Sequence, residues 1–152
     1  MKLSEDQWDD IAINLKIGML TFMHKKTGEV LSHPPPEDIG IVDETGELYA
    51  DQIKKIKENR SDYLRFERMD SREAYQVMEN FAESMSDPIY KGRFLECLQL
   101  PKPFANFKQL VHNSPYRQDW FDFRDKAYRE HFKKEFEHKM KYGEEDDDED
   151  LW

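Results

Sequence analysis

The chain has one cysteine in 152 residues, Cys97, so no intrachain disulfide can form. It lacks a long apolar run: Ile17 to Met23 is the best stretch, well short of the ~18 residues a membrane helix needs. No signal peptide is expected, because Met1-Lys2-Leu3 runs directly into Ser4-Glu5-Asp6 with no apolar segment between. There is no Walker loop, no Gly-x-Gly-x-x-Gly and no Gly-x-Ser-x-Gly, so three common phosphate-binding and nucleophile motifs are excluded. These absences lead to the expectation of a soluble protein in a reducing compartment, most simply the cytoplasm.

Charge and aromatic rings are plentiful. The chain is 37% charged with a mean hydropathy of -0.98, a balance that leans towards disorder. Ten Phe, seven Tyr and three Trp supply the apolar area for a core. The expectation is a single α+β domain over 1–142. The formal net charge is -10, unevenly placed. Residues 1–87 hold 11 Lys and Arg against 19 Asp and Glu, whereas residues 88–142 hold 12 against 7. Glu144 to Asp150 are all acidic, and such a run repels itself. Residues 143–152 are therefore expected to be a disordered acidic tail. It is either only solubilising or a screen for the basic half, with Leu151-Trp152 as a small apolar end.

The pattern predicts a small antiparallel three-stranded sheet with five to six helices. Ser4-Glu5-Asp6-Gln7 is a capping box, with Leu3 and Trp8 as a hydrophobic staple. Trp8, Ile11, Ala12 and Leu15 then share one face of a helix over 4–16. Residues 18–24 and 29–33 read as a hairpin turning at Gly28, ended by Pro34-Pro35-Pro36. Residues 37–47 are expected as loop, then a helix over 47–59 and a strand over 63–67. Asp70, with Glu73 three residues later, starts a helix whose buried stripe is Ala74, Met78, Phe81 and Met85. Asp87-Pro88 starts the next, with Phe94, Leu95 and Leu98 inward. Phe104, Phe107, Leu110 and Val111 mark another. The last helix, 116–142, carries Phe121, Tyr128, Phe132, Phe136 and Met140 on one side and Gly143 at its end. Its far half outlasts the core available to it, so Phe136 and Met140 are expected to be covered by a second chain in a homodimer.

Few residues invite chemistry. Cys97 lies in the apolar stretch Phe94 to Leu98 and reads as a structural thiol. His131, Glu135 and His138 share a helix face, but their spacing is not the His-Glu-x-x-His pattern, and no metal or cofactor is assigned. His24 and His33 flank the hairpin. The most suggestive segment runs from Lys102 to Arg124. It interleaves Lys102, Lys108, His112, Arg117 and Arg124 with Phe104, Phe107, Tyr116, Trp120 and Phe123. Cations for phosphates and rings for bases are what single-stranded nucleic acids need, although rings at helical spacing more often build a core. The candidate binding set is Lys102, Lys108, His112, Tyr116, Arg117, Trp120 and Arg124. Two functions follow: a non-catalytic binding or adaptor module for a nucleic acid or acidic protein partner, or a small hydrolase using His112 with Arg117 and Asp119.

The block Tyr75 to Phe81, then Arg93-Phe94, Lys102 to Lys108 and Trp120 to Phe123 resembles Uncharacterised Protein Family 0158. The likeness spans about residues 8–132 and includes Thr27-Gly28-Glu29 in the hairpin, the strand from Tyr63 to Phe66 and the Phe104-x-x-Phe107 motif. Phe66-Glu67 stands where members often have Ile-Pro, and Asn106 where they often have Arg. The resemblance implies this α+β fold and a bacterial, cytosolic setting. It brings no catalytic residues.

Overall fold

The computed structural model of the chain describes residues 3–35 and 47–143. Their contacts gather into two compact units, residues 1–68 with 129–152, and residues 69–128. All of the expected acidic tail after Gly143 and most of the expected loop over 37–47 lie outside the described residues.

In the first unit, helix α1 (Glu5–Lys16) starts on the capping box. Ser4 Oγ accepts from the Gln7 amide at 3.2 Å and the Ser4 amide donates to Gln7 Oε1 at 2.8 Å, so two orphan donors are satisfied. Strands β1 (Leu20–His24) and β2 (Val30–His33) form the hairpin, and β3 (Tyr63–Phe66) pairs with the other edge of β1. All pairings are antiparallel, with Phe22 opposite Leu31 on one side and Arg65 on the other. Gly28 has φ 76°, which a side chain would resist, and its amide donates to the His24 carbonyl. His24 Nδ1 accepts from the amides of Lys26 and Thr27 and holds the loop from inside.

Helix α2 (Ala50–Glu58) begins three residues later than the pattern predicts and is followed by a single 3₁₀ turn, Arg60–Asp62. Its Ile56 packs with Phe22 and Tyr63 on one face of the sheet. The opposite face takes Trp8 of α1 and a ring from the last helix. Phe66 meets Trp8 at 6.1 Å and Phe132 at 6.2 Å, both edge-on.

The last helix, α6 (Arg117–Tyr142), supplies that ring. It also caps the outer edge of β3. The Glu67 amide donates to Glu135 Oε1 at 3.2 Å, and Lys139 Nζ donates to the Arg65 carbonyl. Glu135 and Lys139 are four residues apart and pair at 2.9 Å. A helix laid over a strand edge is one way to protect it from foreign strands. Phe136, expected to await a second chain, rests on Trp8 at 5.8 Å, while Met140 stays 46% exposed.

The second unit is helical: α3 (Ser71–Ser84), α4 (Pro88–Gln99), α5 (Pro103–His112) and the start of α6. Asp70 and Glu73 form a second capping box, and Asp87 accepts from the amides of Ile89 and Tyr90. Phe81 lies at the centre of its core, edge-on to Phe94, Phe107, Trp120 and Phe123. The buried stripe of α3 is Val77, Met78, Phe81 and Ala82, turned from the expected Ala74-Met78-Phe81-Met85 line. No helix among the described residues is long and apolar enough to cross a membrane.

Candidate functional site

All seven candidate residues belong to the second unit. Helical phase sorts them into rows. Lys108 and His112 are four apart on α5 and both exposed. Lys102 is exposed just ahead of that helix, between two prolines, with φ 58° and ψ 54°. It is the one non-glycine residue with positive φ among the described residues. Arg117 and Arg124 bracket one ring on α6. Their guanidinium carbons lie 5.4 and 4.9 Å from the Phe121 centroid, so the ring steadies both. Arg124 also pairs with Asp125 at 3.2 Å.

Trp120 and Tyr116 face inward. Trp120 is 8% exposed, with its ring 4.8 Å from Phe107 and 5.3 Å from Phe81. The Tyr116 hydroxyl donates to Asp87 Oδ2 at 2.7 Å, which ties the start of α6 to the cap of α4. That bond holds the Asp87 carboxyl below its ordinary range and raises the Tyr116 phenol. Phe107 is fully buried, and Phe104 and Phe123 are half-buried against the same core. Cations, rather than rings, therefore make up the exposed part of the set.

The stretch from Cys97 to Gln118 contains no Asp or Glu, in a chain with 33 of them. It covers the end of α4, all of α5 and the first residues of α6, and it contains Lys102, Lys108 and Arg117. Lys102 and Lys108 have no Asp or Glu within five positions in sequence, whereas Asp119 follows Arg117 by two.

An open groove of about 360 Å³ lies between α4 and α5. Arg93 and Cys97 of α4 line it together with Leu100 at that helix's C-cap, and Asn106 and Gln109 of α5 together with Asn113 at its C-cap. None of its lining residues is among the seven candidates, yet the sequence carries a signal for it: each side contributes residues spaced i, i+3, i+4, i+7, and three of the four on the α5 side are amides. His112 is not among its lining residues. The Cys97 thiol donates to the Phe94 carbonyl, and burial, followed by the Glu96 charge, pushes its pKa up. A thiol held protonated in this way is a poor nucleophile.

The His131, Glu135 and His138 trio is divided by its contacts. Glu135 is spent on β3 and Lys139, whereas the rings of His131 and His138 lie against Phe132 and Tyr142. Among the described residues no group of three His, Cys, Asp or Glu side chains is placed to hold a metal.

A family model described as an uncharacterised protein family, UPF0158, matches residues 39–145. No curated protein and no solved structure matches the chain significantly.

Proposed function

The chain belongs to uncharacterised protein family UPF0158, and from that premise we propose that it is a non-catalytic binding module that takes an acidic partner on its second unit. The observation that carries this is the carboxylate-free stretch from Cys97 to Gln118, with exposed Lys102, Lys108 and Arg117 beside the ring-steadied Arg124. The acidic run Glu144 to Asp150 fits as an internal competitor for the same cations, and the lone Cys97 fits a cytosolic setting. The hydrolytic alternative draws no support from His112, which is exposed at the end of α5 and outside the groove.

The test is binding of poly-glutamate and of a single-stranded oligonucleotide at low salt. The double variant Lys108→Glu, Arg117→Glu should weaken binding to the preferred polyanion and flatten its salt dependence. Removing residues 144–152 should tighten it. If neither the full chain nor the shortened one binds any polyanion at low salt, the reading fails.

A further inference from the structure

The groove between α4 and α5 offers different chemistry from the cation rows. A primary amide presents a carbonyl acceptor and an N–H donor side by side, the same complement as a peptide group. Asn106, Gln109 and Asn113 repeat that complement along one row of α5. Seven residues of helix rise about 10 Å, the reach of about three residues of extended chain. Asn106 is oriented by its own N–H bond to the Pro101 carbonyl at 2.8 Å, which leaves its oxygen available. Gln109 and Asn113 are exposed, and their side chains make no hydrogen bond among the described residues.

The rest of the groove fits the same occupant. Leu100, 50% exposed, and half-buried Leu110 supply an apolar wall. Arg93 is held over the Tyr90 ring at 5.1 Å, a steadied guanidinium suited to a carboxylate. Glu96 is the groove's one acidic lining residue. The second unit is close to neutral, with 8 Lys and Arg against 9 Asp and Glu over residues 69–128, so the groove's own positive charge is the Arg93 guanidinium. No aromatic residue lines the groove, so a nucleobase would find no stacking plane there.

We propose that this groove holds an extended acidic peptide, its main chain on the amide row and a carboxylate at Arg93. The proposal rests on the binding-module reading and names the class of its partner.

Fluorescence anisotropy on the full chain tests it, with a labelled synthetic peptide of the sequence of residues 144–152, seven carboxylates followed by Leu-Trp. The double variant Gln109→Ala, Asn113→Ala should keep the wild-type melting temperature and bind about tenfold more weakly, the loss of one or two good hydrogen bonds. Arg93→Ala should weaken binding in the same direction. If the amide variant binds like wild type while Lys108→Glu, Arg117→Glu loses the peptide, the groove is overturned and the binding-module reading survives. If the peptide binds neither the full chain nor the chain shortened by residues 144–152 at about 1 mM, the groove fails, and the poly-glutamate test decides the broader reading separately. If an oligonucleotide binds with the same dependence on Gln109 and Asn113, the peptide class is overturned.

Discussion

His33 is fully buried in β2, its ring stacked on Phe22 at 5.9 Å and its Nδ1 donating to the Pro34 carbonyl at 2.7 Å. Burial lowers its pKa from 6.5, and the Lys57 charge adds to that, against the opposing bond to Pro34. With the folded value below the unfolded one, the unfolded chain binds the extra proton first. The stabilisation is full above pH 6.5 and is lost as pH falls through the window below it. Thermal melts from pH 8 to pH 5 should fall for the wild type and stay flatter for His33→Gln. Asp70 and Asp87 also have lowered pKa values, so their contributions disappear only at more acid pH, below 3.8. Tyr116→Phe should bring the Asp87 carboxyl back towards its ordinary range, readable by NMR titration. Asp87→Ala should destabilise more than Tyr116→Phe, because it also uncaps α4. The cap itself was legible in the sequence as Asp87-Pro88. Its hydroxyl partner was not, because Tyr116 lies 29 residues away.

At the level of elements, caps and turns were read nearly to the residue: Ser4 with Gln7, Asp70 with Glu73, and Gly28 in the hairpin. Each is a local chemical requirement, met by neighbours within a few positions. Helix faces were read less well. The sequence pattern places Phe121, Phe132 and Phe136 on one buried side of α6. The helix instead buries Trp120 in one unit and Phe132 in the other, with Phe121 lying half-buried under two arginines. Phe121 and Phe132 are eleven residues apart, about three turns, and do share a helical face, so periodicity alone does not separate the ring that is fully buried from the one that stays half-buried beneath cations. Only long-range packing tells them apart. The groove amides were missed for a related reason, because polar residues on a helix read as solvent contacts until a second helix stands beside them. Phe81→Ala should cost about 3–5 kcal/mol, since it empties the space between four other rings. Urea denaturation followed by tryptophan fluorescence would measure this, whereas Gln109→Ala should leave the midpoint unchanged.

For the molecule as a whole, a formal charge of -10 favours solubility by mutual repulsion, and salt weakens that protection. The contacts of Glu135 and Lys139 with β3 then become a matter of behaviour in concentrated solution. Lys139→Met should cost about 1–3 kcal/mol by leaving the Arg65 carbonyl unsatisfied. Glu135→Ala should speed hydrogen exchange at the Glu67 amide. In both variants light scattering at high salt should show growth with protein concentration that the wild type does not show. Two side chains of a helix thus stand in for a neighbouring strand, so recruitment of another copy along that margin is halted by a carboxylate and an ammonium rather than by more sheet.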